Sequence, residues 1–256
     1  MDERSVGLIY FFNKCRDKYF KDKEYRYIPF NCSDRGNSNE NAKEYSMCFD
    51  KNNMNLKKYC GPDWIFCHWP SADIHSFENT KNQIIFESNK QPTIDKVGWF
   101  GNIHSPLSDV IEYTTRPLLL KIGNENPDLF DVIHVQVPQS TVTNYLSLPD
   151  LIKYKYLIDI GGNGYSGRLK FLLFSKRPLL IVDRNFVEYF YHDLIPYTHY
   201  IPVNMDLSNL LEQVNWMKMN PEKASEIANN AFYFALNNFT EDKLIERVYH
   251  VYNNIF

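Results

Sequence analysis

Two apolar runs separated by a glycine-rich segment constrain this chain more than any other feature. The runs are Tyr156-Leu157-Ile158-Asp159-Ile160 and Leu179-Leu180-Ile181-Val182. Between them, Gly162-Asn163-Gly164-Tyr165-Ser166-Gly167-Arg168-Leu169-Lys170 opens a helix-like stretch that continues to Lys176. Strand, glycine turn, helix and strand in that order make half of a nucleotide-binding α/β unit. Glycines let a backbone approach a phosphate closely, and the free N–H groups of a helix's first turn attract an anion. Arg168 and Lys170 add fixed positive charge beside the turn. The segment therefore predicts a site for a nucleotide diphosphate.

The rest of the chain sets the limits within which that site must work. Its 256 residues suffice for one large domain or two small ones. A net charge of -3 gives no basic field of the kind that draws in nucleic acid. The apolar patch from Val6 to Phe12 is too short to span a membrane and lacks the layout of an export signal. Cys15, Cys32, Cys48, Cys60 and Cys67 are odd in number and show no CxxC spacing. Reduced thiols, a cytoplasmic setting and no metal site are the expectation.

Further apolar runs at Trp64–Cys67, Ile84–Phe86, Val97–Phe100, Leu118–Leu120 and Val132–Val135 read as strands. Ser105-Pro106 forms an N-cap and N1 pair ahead of a short helix. Three helices should close the chain, starting at Asp206, at Asn220-Pro221 and at Thr240. Strands alternating with helices predict an α/β fold with mainly parallel sheet. A boundary between residues 120 and 145 would give two Rossmann-like halves, 1–130 and 131–256, facing one cleft. The last helix would pack back on the first half.

Spacing leaves two readings of the glycine turn open. Gly162, Gly164 and Gly167 fit GxGxxG, and Asp183 ends the next strand about twenty residues on, as in NAD-dependent oxidoreductases and epimerases. Against that reading, the unit sits late in the chain, and Arg168 and Lys170 are cationic where a dinucleotide helix packs an apolar face. Asp183 is also followed by Arg184.

The segment from Lys153 to Ile160, followed by Gly162, Ser166, Arg168 and Lys170, resembles the C-terminal motif of glycosyltransferase family 90. That family contains the protein O-glucosyltransferases and capsule-associated xylosyltransferases. The resemblance continues through Glu188-Tyr189-Phe190-Tyr191, through His199-Tyr200-Ile201-Pro202-Val203 and into Asp206–Leu210. Phe100-Gly101-Asn102-Ile103-His104-Ser105-Pro106 is similar to a second family loop. Coverage is good over residues 97–256 and poor over the first 60.

The resemblance implies two Rossmann-like domains in the GT-B arrangement. It also implies a UDP-sugar co-substrate (UDP-glucose or UDP-xylose), inversion at the anomeric carbon, and no metal or other cofactor. The acceptor would be a glycan or protein hydroxyl. As substrate-binding residues it points to Gly101, Asn102, His104, Ser105, Gly162, Gly164, Ser166, Arg168, Lys170 and Glu188. Arg168 is expected to grip the diphosphate in two bonds, with Ser166 donating a third. An inverting transferase also needs a general base for the acceptor hydroxyl. The family's base is an Asp followed by an aromatic residue and a proline, and that pattern is absent here. Asp73, in the loop after Trp64–Trp69, is the expected base, with His68, His75 and His104 as alternatives. If none of these serves, the chain is a binding-only relative.

Overall fold

The computed structural model describes residues 2–21, 24–36, 41–103, 111–135 and 145–256, with the side chains of 111–114 left aside. Its centre is one parallel five-stranded sheet. The strands are β4 (Ile94–Gly101), β5 (Phe130–His134), β6 (Tyr154–Asp159), β7 (Leu179–Val182) and β9 (Ile201–Val203), in spatial order β5-β4-β6-β7-β9. Alternation along the strands explains why the sheet is covered on both faces. Tyr156, Ile158, Leu180 and Val182 point into one core, whereas Leu157, Leu179 and Ile181 point into the other. A parallel sheet buried on both sides requires this two-sided apolarity.

Helices fill the two layers. α3 (Ile111–Glu125), α6 (Leu210–Met219) and α7 (Pro221–Asn238) contribute Leu119, Val214, Met217 and Ile227 to the first core. α1 (Glu3–Tyr19), α2 (Phe77–Ser88), the short α5 (Leu169–Leu172) and α8 (Glu241–Ile255) contribute to the second. Ser76 and Thr240 cap α2 and α8 by accepting the N–H of Asn79 and Lys243. α8 lies against α1, where Tyr19 and Tyr249 stack with centroids 4.1 Å apart. Two small sheets complete the fold. β1 (Phe30–Asn31) runs parallel to β2 (Tyr45–Ser46), and β3 (Phe49–Asp50) pairs antiparallel with β8 (Phe186–Val187). One further short helix, α4 (Leu148–Leu151), precedes β6.

Several sequence expectations change here. Trp64–Phe66 is a turn of 3₁₀ helix, and the runs at 84–86 and 118–120 lie inside α2 and α3. Short apolar runs do not separate strand from buried helix by pattern alone, and these three lie on helical faces. α6 begins at Leu210, four residues after Asp206, because Leu207 takes a left-handed φ of 59° and Asp206 accepts the Ser208 N–H in a turn. The division at 130/131 does not coincide with a break in the structure. β4 pairs with β5 on one side and β6 on the other, so the sheet runs straight across it. Among the described residues there is one Rossmann-like sheet, and residues 2–93 supply helices and two-residue strands around it.

The strand order gives this sheet a topological switch point. The chain steps outward from β4 to β5 in one direction and from β6 through β7 to β9 in the other. Crossovers on the two sides lie on opposite faces, so β4 and β6 open a crevice at their C-terminal ends, where ligands of such sheets bind.

Candidate functional site

A cavity of about 400 Å³ sits at that crevice. Gly101 and Asn102, from the end of β4, form one lip. Gly162, Ser166 and Arg168, from the turn after β6, form the other. Arg116 of α3 reaches in from the β4–β5 crossover. The far wall comes from the N-terminal segment and includes Glu3, Arg4, Asp34, Trp64 and Trp69.

The Arg168 guanidinium is held without any carboxylate. Its Nη1 donates to the Phe100 carbonyl at 2.6 Å, and its Cζ lies 5.3 Å from the Trp99 ring centroid. Gly101 makes this possible, since a Cβ there would fall 2.5 Å from Arg168 Nη2. Arg116 is placed in the same way. Its Nε donates to Gly161 O and its Nη1 to Asn102 O, both at 2.8 Å, and its Cζ lies 5.7 Å from the same Trp99 ring. Burial, and next the charge of Arg168, lower the Arg116 pKa to about 9. Burial likewise lowers that of Arg168, against the opposing pull of Asp159. Neither forms an ion pair among the described residues, so two positive charges face one cavity.

The other cations of the region are already paired. Lys170, expected beside the diphosphate, is fully buried away from the cavity. Its Nζ lies 2.9 Å from Asp63 Oδ2, 3.3 Å from Gly167 O and 3.2 Å from Glu188 Oε1. An ammonium has three donors, and three oxygens surround it. Burial would lower its pKa, but Asp63 and Glu188 outweigh that and raise it. Glu188, expected near the ribose, belongs to this buried triad. Neither of its oxygens has an aligned hydrogen bond, and burial lifts its pKa to about 7. Arg184 is paired with Asp159 at 2.5 Å.

Ser166 does line the cavity, but its hydroxyl donates to Asp159 Oδ1 at 2.6 Å. A serine has one O–H, so the third phosphate bond expected from it is not available in this arrangement. The turn itself contributes differently from expectation. α5 is only one turn long, and Gly164 serves close packing: a Cβ there would lie 1.7 Å from the Asp34 carbonyl oxygen. Gly164 is buried outside the cavity lining. His104, Ser105 and the Ser-Pro helix start lie outside the described residues. Asp183 pairs with Lys51 at 2.5 Å and does not line the cavity, which removes the ribose contact of the dinucleotide reading.

Asp73, the expected base, stands outside the cavity lining. It takes a left-handed φ of 58° and sends a side chain 71% exposed to His75, whose Nε2 is 3.3 Å away. Its neighbours Ser71, Ala72 and Ile74 line the cavity, and Asp73 does not. His68 is also engaged, with Nε2 2.9 Å from Glu3 O.

Among the described residues the carboxylates that line the cavity are Glu3 and Asp34, which the sequence reading passed over. Glu3 has both oxygens engaged by Ser71, whose N–H donates to Oε2 at 3.1 Å and whose hydroxyl donates to Oε1 at 2.8 Å. Asp34 follows β1, and its carbonyl accepts the Tyr165 N–H at 3.3 Å, which docks it on the glycine turn. Arg4 Nη1 holds Asp34 Oδ1 at 2.9 Å, while Oδ2 accepts no hydrogen bond among the described residues. Within residues 31–41 Asp34 is one polar residue among many, and Arg116 is a lone cation on an amphipathic helix. Only the fold marks them.

These features define the class: an α/β protein with two arginines facing a crevice at the switch point of its parallel sheet. The profile of glycosyl transferase family 90 matches residues 28–255, and the chain belongs to that family. It is 31% identical over 134 residues to Protein O-glucosyltransferase 2 of Danio rerio, covering 49% of this chain and 27% of the relative. Identity is 34% over 137 residues to Protein O-glucosyltransferase 1 of Bos taurus, covering 50% and 35%. With Protein O-glucosyltransferase 3 of Homo sapiens it is 32% over 117 residues, covering 43% and 23%. The matched part thus spans about a third or less of these relatives' length. A solved structure, Anabaena Alr3699/HepE in complex with UDP, aligns with a TM-score of 0.38 at 12% identity, over 65% of this chain and 43% of that one. That likeness is too distant to carry an inference.

Proposed function

We propose that the chain transfers a sugar, glucose or xylose, from a UDP-sugar to a hydroxyl acceptor with inversion and without a metal. The observation that carries this reading is a half-buried Arg168 at the switch point, hydrogen-bonded among the described residues only to a backbone carbonyl and facing a wall that includes Glu3 and Asp34. A guanidinium without an ion-pair partner among the described residues suits a diphosphate, and it stabilises the charge that grows as that group leaves.

Asp34 is assigned the role of base. Its free Oδ2 takes the proton of the acceptor hydroxyl, the acceptor oxygen bonds to the anomeric carbon, and the bond from that carbon to the diphosphate breaks. UDP departs toward Arg168 with the bonding electrons. Glu3 is the poorer choice, because Ser71 occupies both of its oxygens. In the two-domain arrangement implied by the family, this sheet is the nucleotide-holding one. The acceptor is a glycan or a protein hydroxyl. No described helix is long and apolar enough to cross a membrane. The five free thiols support a reducing, cytoplasmic setting for the reaction.

The test pairs ligand-induced stabilisation with turnover. UDP should raise the melting temperature, because a ligand that binds only the native state shifts unfolding. NAD should not. Asp34→Asn should still bind UDP and should lower transfer, or hydrolysis of UDP-glucose in the absence of acceptor, by about 100-fold or more. Stabilisation by NAD alone would sink the reading. UDP binding with no turnover of either UDP-sugar in the wild type would make the chain a binding-only relative.

A further inference from the structure

We propose that the first turn of α1 is a positioning element for the reaction: Arg4 aims the Asp34 carboxylate at the acceptor hydroxyl, and Glu3 ties loop 69–74 of the same cavity wall to the same turn. The proposal rests on the assignment of Asp34 as base. Glu3 and Arg4 precede the stretch that the family profile matches, residues 28–255, so this part of the wall comes from outside it. The sequence places the two together. Asp2 caps α1 by accepting the Ser5 N–H at 3.0 Å, which puts Glu3 and Arg4 in its first turn. Gly7 follows one turn later on the same face. It lets the helix seat directly on the 3₁₀ turn at Trp64, since a Cβ there would fall 2.7 Å from Trp64 Cβ. That close seat carries Glu3 and Arg4 to the cavity, which both line.

The two residues grip two different loops. Glu3 accepts the Ser71 N–H and hydroxyl through its carboxylate, and its carbonyl lies 2.9 Å from His68 Nε2. Loop 69–74 is closed on itself, with the Trp69 N–H donating to Ile74 O at 2.6 Å and the Ile74 N–H to Trp69 O at 3.0 Å, so this grip holds it as a unit. Arg4 Nη1 bridges the Cys32 carbonyl at 2.6 Å and Asp34 Oδ1 at 2.9 Å, and its Cζ lies 6.0 Å from the Trp64 ring centroid. The Asp34 backbone is fixed without Arg4. Its carbonyl accepts from the Tyr165 N–H at 3.3 Å and from the Cys48 thiol at 3.1 Å, and Gly164 packs against it. The carboxylate lies beyond those bonds and takes its bearing from Arg4. Burial would lower the Arg4 pKa, but the Asp34 charge outweighs that and raises it, as for opposite charges in contact. A base must come within about 3 Å of the group whose proton it takes, so turning this side chain away costs rate without touching the donor side.

The test is steady-state hydrolysis of UDP-glucose, with UDP binding by calorimetry, for the wild type, Arg4→Met, Asp34→Asn and the double variant. Arg4→Met should lower kcat by about 10- to 100-fold, the range that a misplacement of about 1 Å produces, while KM for UDP-glucose and UDP affinity stay within about twofold. Arg4→Lys, which keeps the charge, should recover part of the loss. On the Asp34→Asn background Arg4→Met should cost nothing more, because a residue that acts through Asp34 has nothing left to aim. If Arg4→Met does not fold, Arg4→Gln takes its place in the same comparison. Unchanged kcat in a folded Arg4→Met protein, or a loss that multiplies with that of Asp34→Asn, would overturn this proposal alone. Full activity in Asp34→Asn would overturn the assignment of the base instead.

Discussion

Replacing Lys170 with Met separates the two roles that this cation could have had. Removing the ammonium leaves Asp63 and Glu188, both almost wholly buried, without a counter-charge. Deleting one partner of a buried ion pair costs about 3–5 kcal/mol, because the remaining charge has lost its compensation. Domains of ordinary stability hold only about 5–15 kcal/mol, so Lys170→Met should remove a large fraction of the total. The loss should depend on pH with a definite sign. Glu188 already titrates near 7, well above its unfolded value of 4.5, so it takes up a proton more readily in the native state. With Lys170 gone it protonates more readily still, and destabilisation should be smaller at pH 6 than at pH 8. Urea unfolding at both pH values measures this. UDP titration at low temperature, where the variant is folded, should give near wild-type affinity per folded molecule. A variant within about 1 kcal/mol of the wild type that had lost UDP binding would refute the triad as a structural device, since a broken buried pair should cost about 3–5 kcal/mol. It would return Lys170 to the donor site.

Gly101→Ala should act at a distance of one methyl group, because the new Cβ would meet Arg168 Nη2 at 2.5 Å and the Trp99 ring at 2.9 Å. Displacing the guanidinium from Phe100 O forfeits a charge-assisted bond of about 1.5–3 kcal/mol, and UDP affinity should fall by about 10- to 150-fold with little change in melting temperature. Unchanged affinity by calorimetry would show that the observed Arg168 position is not the binding one. Glu188→Gln should flatten the dependence of stability on pH. The raised pKa makes the Glu188 contribution complete below about 4.5 and lost as pH rises through about 7. At about 1.36 kcal/mol per pKa unit, that is on the order of 3 kcal/mol. A series of urea midpoints from pH 5 to pH 8 with the wild-type slope would contradict it.

The parts of this molecule that were legible from sequence are those fixed by local pattern. β6 and β7 are continuous apolar runs bounding a glycine turn, and α7 and α8 carry their own Pro221 and Thr240 start signals. Trp64–Phe66, Ile84–Phe86 and Leu118–Leu120 were not legible, because a run of three apolar residues satisfies a strand and a buried helical turn equally. Among the residues that line the cavity, Gly162, Ser166 and Arg168 lie in the strand–glycine turn–helix pattern, and Gly101 and Asn102 were reached through the family resemblance. Neither pattern nor resemblance reached Asp34 or Arg116. Asp34 reaches the cavity through a hydrogen bond from Tyr165, a contact 131 residues away in the chain, and Arg116 through carbonyls on two different strand ends. Lys170 misled for the same reason. Its nearness in sequence to Arg168 says nothing about Asp63 and Glu188, which the chain brings in from far on either side.

What separates the cations of this crevice is therefore the kind of partner that holds them, and not burial or proximity to glycines. Lys170 and Arg184 are each set against carboxylates, and their charge is cancelled within the protein. Arg116 and Arg168 are set against carbonyls of Phe100, Asn102 and Gly161, which orient a guanidinium through its N–H groups while leaving its net charge intact. A carbonyl is a dipole and falls off faster with distance than a carboxylate does, so it fixes position without quenching the field at the cavity. The same division appears among the acids. Asp159 and Asp63 are consumed in holding the turn and the triad, whereas Asp34 is oriented by Arg4 through one oxygen and keeps the other. A transfer reaction needs an uncompensated positive group where the diphosphate leaves and an unoccupied carboxylate oxygen where the acceptor proton departs. In the proposed reaction Arg168 is assigned the first role and Asp34 the second, each because of the way it is held.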